Sequence, residues 1–264
     1  MRSVLKWFSK QQDACRADCE IAGLINDLVT ANQTLFHHGI LDSFGHVSVR
    51  HPKSENLFLM SRAVAPCSVQ PADILVFDLD ATAHKETTHS LYVERFIHSE
   101  IYKVRKDVNA VVHSHSPTVI PFSITQTKLR PVFHRASFLH PVVPVFEIRD
   151  VASAKNNMLV NDAKRGKALA HALGANNVVL MRGHGNVVVG SRLRLAISRA
   201  IETELNAKMQ LQAMVIGGLI NYLSTEEAET LEDDLARAKS SDVRGADRVW
   251  ESLKCLIQSR ARHP

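Results

Sequence analysis

Four segments of the chain carry apolar residues at intervals of three to four positions, the spacing that buries one face of an α-helix. They cover roughly residues 13–38, 90–105, 162–173 and 191–216. Gly39 and Gly174 follow two of these segments, where helices commonly end in a left-handed residue. The pattern therefore predicts four amphipathic helices.

Short apolar or alternating runs between these segments predict β-strands. The stretch His51-Pro-Lys-Ser-Glu55 has turn composition and predicts a hairpin between the first two runs. A buried run at 110–112 continues into His113-Ser-His-Ser-Pro117, and the proline cannot continue a central ladder, so both histidines are expected at the carboxyl end of that strand. The strands are predicted at 46–50, 56–60, 74–78, 110–112, 142–147, 178–181 and 187–189.

The helix predicted from about Ser90 to Arg105 has Ser90 as its expected N-cap and carries a carboxylate beside its apolar stripe. Glu94 precedes His98 by four residues, so both lie on one helical face. A partly desolvated Glu94 could exchange protons near neutral pH. An exposed Glu94 would only interact favourably with the helix dipole in the first turn. The stripe is expected to be Val93, Ile97, Ile101 and Val104.

Composition is that of an ordinary globular protein: 264 residues, 45% hydrophobic, 22% charged, with a net charge of +5 that is spread along the chain. We expect no nucleic-acid partner, no membrane span and no secretory signal. The four cysteines fit neither a disulfide framework nor a metal motif, which favours a cytoplasmic protein. We expect one α/β domain over residues 1–223 and a helical extension over 224–264 packed on it.

Three of the 14 histidines have spacing that suits a metal site. His113 and His115 are two apart on a strand, so their side chains point to the same face. His184 lies between two glycines, which permit an unusual turn and a close approach. Three neutral imidazoles with open positions suit catalytic Zn²⁺, Mn²⁺ or Fe²⁺. The alternative is a surface strand that happens to carry two histidines.

Several motifs resemble the signature of the class II aldolase/adducin family in order and separation over roughly residues 20–220. They are residues 45–50 (Gly-His-Val-Ser-Val-Arg), 94–98, 101–102, 107–115 and 182–185 (Arg-Gly-His-Gly). The resemblance implies a three-layer α/β/α sandwich on a mostly antiparallel sheet. It also implies that His113, His115 and His184 bind a divalent metal and that Glu94 is the acid/base residue. Family members are commonly tetramers with active sites at subunit contacts, so a homotetramer is expected.

Other segments resemble the decarboxylase branch of that family rather than its sugar-phosphate aldolases. Tyr92-Val93 replaces the Ser-Ser that precedes the catalytic glutamate in the aldolases, and His46 replaces their asparagine. These changes remove donors to a phosphate and add apolar surface, which favours a flat aromatic substrate. The loop 119–145, rich in phenylalanine, could wall an aromatic pocket or simply belong to the core. The branch-like segments are 59–62, 94–98, 113–117, 130–134, 145–150 and 181–185.

The sequence therefore predicts a divalent-metal-dependent decarboxylase of a hydroxylated aromatic or heteroaromatic dicarboxylate, as used in aromatic-compound catabolism. Glu94 would supply the proton, and Arg62 or Arg182 would grip the second carboxylate. The further candidate substrate contacts are His46, Ser61 and His98. The alternatives are retro-aldol cleavage of a hydroxy-ketone or sugar phosphate, an Fe²⁺-dependent oxygenase, and a non-catalytic adducin-type interaction protein. The last fits poorly because all three histidines and Glu94 are present.

Overall fold

The computed structural model describes residues 2–153, 155–237 and 245–261, with side chains described from residue 19 onward except in parts of the last two helices. Its centre is one seven-stranded sheet with the strand order β3-β2-β1-β4-β7-β6-β5. All neighbouring pairs are antiparallel except β5 and β6, which are parallel. The strands are β1 (His46–His51), β2 (Ser54–Ser61), β3 (Ile74–Asp78), β4 (Ala110–Ser114), β5 (Val145–Phe146), β6 (Val178–Met181) and β7 (Gly185–Gly190).

Helices cover both faces of the sheet because the central strands carry apolar residues on both of their faces. On β4, Ala110 and Val112 pack into one hydrophobic cluster and Val111 into the other. The first cluster includes residues of α1 and α5, and the second includes residues of α2 and α4. The three-layer α/β/α prediction is therefore confirmed. The helices are α1 (Arg2–His37), α2 (Arg95–Val104), α3 (Ile120–Ile124), α4 (Ala163–Leu173), α5 (Leu193–Ile216), α6 (Thr225–Arg237) and α7 (Ala246–Ala261).

Two helices begin several residues away from their predicted starts: α1 begins at Arg2 instead of near residue 13, and the helix that follows β3 begins later than predicted. It begins at Arg95, so Glu94 occupies the N-cap position and Ser90 lies outside the helix. Ile97 and Ile101 are fully buried, but Val93 and Val104 are exposed. The predicted stripe was therefore wrong at both ends. The segment before Arg95 is an irregular chain that ends in a turn, and Glu94 faces His113 near the carboxyl end of β4.

The phenylalanine-rich loop is mostly core. Phe122 and Phe138 are buried in the same hydrophobic cluster as α1 and α5, and Phe133 packs against it half-buried. Of the strand predicted at 142–147, only Val145–Phe146 pairs, in parallel with β6. The core interpretation of this loop is the one that the structure supports.

The last two helices pack on the rest of the chain. Trp250 and Leu253 of α7 are buried in the cluster that contains residues of α1 and α5. The Asp247 carboxylate forms ion pairs with two arginines at the start of α5. Its Oδ2 lies 2.8 Å from Nη1 of Arg192, and its Oδ1 lies 3.3 Å from Nη1 of Arg194. The division into a domain and an extension at residue 223 stays a prediction. Among the residues described here, no helix combines the length and apolar character needed to cross a bilayer.

Candidate metal centre

Three histidines meet where β4 ends and β6 turns into β7. His113 is on β4 between His46 of β1 and Val187 of β7, and His115 follows just beyond the strand. His184 lies in the tight turn that joins β6 to β7. The turn needs glycine on both sides of His184: Gly183 has a φ of +61°, and a Cβ on Gly185 would lie 2.1 Å from the Ser114 carbonyl oxygen.

The ring nitrogens of these histidines converge together with one carboxylate. Nε2 of His115 lies 3.1 Å from Nε2 of His113 and 3.1 Å from Nε2 of His184. Oε2 of Glu94 lies 3.6 Å from Nε2 of His113 and 3.4 Å from Nε2 of His184. The four ligand atoms all lie within 4.8 Å of one another, which is compact enough to surround a single cation.

The other nitrogen of each ring shows why a cation fits. Nδ1 of His113 lies 3.1 Å from the Asn186 carbonyl oxygen, and Nδ1 of His184 lies 2.9 Å from the Met158 carbonyl oxygen. Nδ1 of His115 lies 3.0 Å from Oδ1 of Asp42. Carbonyl and carboxylate oxygens only accept, so each Nδ1 carries the hydrogen. When the rings are neutral, three Nε2 lone pairs then face one another, and a shared metal ion stabilises that arrangement.

Glu94 is held at the centre by its position before α2. Its side chain is buried, and Oε1 accepts the Val160 N–H at 2.8 Å, which leaves Oε2 facing the histidines. Burial alone raises the pKa of Glu94, but the facing His113 and His184 rings outweigh burial and hold that pKa well below its usual range. The predicted desolvated carboxylate is therefore present, as an N-cap residue rather than as part of a helical stripe.

His46 and His98 lie beside the centre and bond to each other. Nδ1 of His46 is 2.7 Å from Nε2 of His98, and both side chains are buried. The His46 ring also packs against the Tyr92 and His113 rings, with centroid separations of 4.6 and 5.0 Å. Burial lowers the pKa of His98 to about 3, which favours the neutral ring. Of the two, His46 adjoins the metal ligands directly and His98 lies behind it.

Both candidate arginines already bind carboxylates of the chain. Nε of Arg62 is 2.7 Å from Oδ1 of Asp73, and Nε of Arg182 is 2.5 Å from Oε2 of Glu147. Each guanidinium uses Nε in these contacts, and its terminal nitrogens have no partner among the described residues. Ser61, the remaining candidate, is buried at the end of β2.

Sequence reasoning missed Asp42, the carboxylate behind His115. Its Oδ1 also accepts the N–H groups of Phe44 and Gly45, both at 2.9 Å, so a local turn fixes the side chain. Asp42 is 73 residues from His115, and only the tertiary structure brings them together. An aspartate shortly before a glycine suggests a turn, but nothing in the local sequence indicates a metal site.

Comparison with known proteins identifies the family of the chain. Residues 26–211 match the family model described as Class II Aldolase and Adducin N-terminal domain. Decarboxylase tropJ of Talaromyces stipitatus is 37% identical over 73% of this chain and 77% of its own length. The 3,4-dihydroxyphthalate decarboxylase of Arthrobacter keyseri is 28% identical, covering 80% and 87%. The L-fuculose 1-phosphate aldolase of Glaciozyma antarctica superimposes with a TM-score of 0.74 at 20% identity, covering 92% and 93%, a likeness in fold.

The two decarboxylases are carbon–carbon lyases, and they confirm the predicted enzyme class. The family model and the aldolase structure confirm the predicted fold family. The chain belongs to the class II aldolase and adducin family.

Proposed function

We propose that the chain is a divalent-metal-dependent decarboxylase of a hydroxylated aromatic or heteroaromatic dicarboxylate. The observation that carries the proposal is the convergence of three Nε2 atoms and one buried carboxylate oxygen in a chain 37% identical to a decarboxylase. Two further relatives, from Arthrobacter keyseri and Rhodococcus jostii, are named 3,4-dihydroxyphthalate decarboxylases.

His113, His115 and His184 would hold the ion through Nε2, with Glu94 beside it. A neutral three-imidazole set suits Mn²⁺, Zn²⁺ or Fe²⁺, and metal supply decides among them. A bound ion supplies Lewis-acid stabilisation of the negative charge that develops on the substrate as CO₂ leaves.

The surroundings of the centre suit an aromatic substrate. Phe44 is 71% exposed, and its N–H bonds the Asp42 carboxylate that supports His115. Val93, 54% exposed, precedes Glu94 in the chain, and Ile124, 58% exposed, lies against the turn at Gly183. These exposed apolar residues are thus next in the chain to a residue of the metal centre, bonded through the backbone to its supporting aspartate, or packed against its glycine turn, and we propose that a flat ring buries apolar surface there.

Glu94 would carry the proton through the reaction. Its Oε2 accepts the proton of the substrate hydroxyl group as the substrate binds. The same oxygen then delivers that proton to the ring carbon, whose bond to the carboxylate carbon breaks as CO₂ departs. Oε1 stays on the Val160 N–H throughout, which fixes the direction in which Oε2 points.

Arg62 or Arg182 would bind the carboxylate that the substrate retains. Asp73 and Glu147 orient them through Nε, which leaves the two terminal nitrogens of each guanidinium for a bidentate pair. His46 and Ser61 complete the proposed substrate side of the site, with His46 in contact with the ligand His113, and His98 supports His46 from behind.

Purified protein loaded with Mn²⁺ tests the proposal on a panel of hydroxylated aromatic dicarboxylates, with CO₂ and the monocarboxylate product measured together. We expect one CO₂ per product and loss of turnover in His113→Ala. Aldehyde release from a hydroxy-ketone or sugar phosphate, without CO₂ from any acid, would replace the proposal with retro-aldol cleavage. Oxygen consumption under Fe²⁺ would replace it with an oxygenase.

We also propose a cytoplasmic homotetramer with active sites at subunit contacts. The support in this chain is the apolar surface at the end of α5, where Val215, Ile216 and Leu219 are almost fully exposed. Light scattering should give four times the chain mass of 29.4 kDa. A mass of one chain at micromolar concentration would contradict the assembly.

A further inference from the structure

A chain of hydrogen bonds leads from the interior to His46. Oγ of Ser48 lies 2.8 Å from the Tyr102 hydroxyl and 2.6 Å from Nδ1 of His98, and Nε2 of His98 lies 2.7 Å from Nδ1 of His46. All four side chains are buried. We call these four residues, Tyr102, Ser48, His98 and His46, the relay.

Regular secondary structure aligns the relay. His46 and Ser48 are two apart on β1 and point to one face of the sheet, and His98 and Tyr102 are four apart on α2 and share one helical face. His46 is also the direct partner of His113 in the β1–β4 ladder, so its ring stands beside a proposed metal ligand. The relay therefore connects the helix–sheet interface to the metal centre.

The direction of the hydrogen bonds follows from Tyr102. Burial raises the pKa of Tyr102 above its usual value, so the phenol keeps its hydrogen. Ser48 is the hydroxyl's hydrogen-bond partner among the described residues, so the phenol must donate to Ser48 or leave a buried hydrogen without an acceptor. Ser48 then donates to Nδ1 of His98, which places the hydrogen of that neutral ring on Nε2.

The same logic sets the tautomer of His46. Nε2–H of His98 donates to Nδ1 of His46, so the hydrogen of a neutral His46 is on its own Nε2. The two nitrogens of an imidazole point to nearly opposite sides, so this N–H points away from His98. Nε2 of His46 has no partner among the described residues.

We propose that the relay fixes His46 as a hydrogen-bond donor, with Nε2–H directed at an anionic oxygen of the substrate. If the hydrogen bonds of the relay ran in the opposite direction, Nε2 of His46 would carry a lone pair in place of its hydrogen. That lone pair would repel the substrate oxygen. The donation to a substrate oxygen rests on the proposed function, whereas the tautomer itself does not. His46 is then a positioned donor, and Tyr102, Ser48 and His98 act through it.

Solid-state ¹⁵N NMR of histidine-labelled protein tests the tautomer directly, with the His46 signals assigned by their loss in His46→Asn. We expect Nε2–H to exceed Nδ1–H by roughly tenfold or more in the wild type, because the other tautomer leaves a buried phenol hydrogen unpaired. In Tyr102→Phe the donor that sets the direction is gone, and we expect the Nδ1–H form to become readily detectable. A dominant Nδ1–H signal in the wild type would overturn the proposal.

Tyr92→Phe is the matched control. Tyr92 also packs against the His46 ring, but its hydroxyl donates to the Val64 carbonyl oxygen outside the relay. We expect its tautomer signals to match the wild type. A tautomer change equal to that of Tyr102→Phe would show that loss of any nearby hydroxyl is sufficient, and would contradict the relay.

A kinetic cycle tests the donor role. We expect Tyr102→Phe to lower kcat about tenfold with unchanged metal content. His46→Asn offers an N–H that does not depend on the relay, so Tyr102→Phe should have no further effect in that background. Independent, multiplicative losses would contradict the role of His46. If no acid is decarboxylated but the NMR result holds, the proposed function fails and the relay stands.

Discussion

Asp42 offers the sharpest test of the metal centre because it supports the proposed ligand His115 without being one of the four proposed ligands itself. Its carboxylate lies 3.0 and 3.1 Å from Nδ1 of His115 through its two oxygens. The acceptor fixes the hydrogen on Nδ1 and makes Nε2 the better ligand. Asp42→Asn keeps the size of the side chain and one acceptor oxygen but removes the charge.

The magnitude follows from the exposure of this carboxylate. Loss of such a supporting group typically weakens metal binding by about 10- to 100-fold. The Asp42 side chain is 47% exposed, so solvent screens its charge and the lower end of that range applies. We therefore expect about tenfold weaker binding, or about 1.4 kcal/mol.

Competition with a chromophoric chelator measures the affinity for Zn²⁺ or Mn²⁺ in the wild type and the variant. Asp78→Asn is the matched control, because Oδ1 of Asp78 accepts the N–H groups of Asp80 and Thr82 in a similar turn away from the histidines. We expect the control to bind metal as the wild type does. Equal affinity in Asp42→Asn and wild type would refute the reasoning, and an equal loss in both variants would assign the effect to turn geometry.

Three further predictions concern the carboxylates and the glycine turn. Glu94→Gln should lower kcat by about 10²- to 10⁴-fold while metal content by elemental analysis changes far less, and undiminished turnover would remove Glu94 from proton transfer. Gly185→Ala should lower the free energy of unfolding, measured by chemical denaturation, by about 3 kcal/mol because the added Cβ would overlap the Ser114 carbonyl. Gly23→Ala in α1 is the control, because its Cβ would meet open space and should stabilise the helix. Equal effects of the two substitutions would contradict the close approach at Gly185. Hydrogen bonds from Arg149, together with Arg182, lower the pKa of Glu147 to about 2 from 4.5, so its stabilising effect is present above pH 4.5 and is lost as pH falls toward 2. The melting-temperature deficit of Glu147→Gln should therefore shrink over that interval, and a deficit that is constant with pH would contradict the assignment.

Much of the architecture follows from local patterns. The alternation along β1, the continuous apolar run of β4 and the three- to four-residue spacing in α4 and α5 each reflect local burial, so these elements were predictable near their observed bounds. The start of α2 was not, because the pattern continues through Val93 although the chain there is held by tertiary contacts. The two-residue strand β5 is likewise defined by its pairing with β6 rather than by its own composition.

The residues of the site also differ in whether local sequence could predict them. His113 and His115 share a face by strand geometry, and the glycines beside His184 indicate a close approach, so the sequence alone can suggest that the three histidines meet. Asp42 could not be found because its role depends on a contact across 73 residues. The arginines were identifiable as candidates, but their partners Asp73 and Glu147 were not, since nothing local couples them.

The central claim is that three distant imidazoles bind one catalytic ion. X-ray absorption spectroscopy of protein loaded with one equivalent of Zn²⁺ measures this directly. The account predicts a single tightly bound ion per chain with three imidazole nitrogens in its coordination shell, and loss of one of those nitrogens in His184→Ala. A shell without imidazole scattering, or one unchanged in that variant, would contradict it.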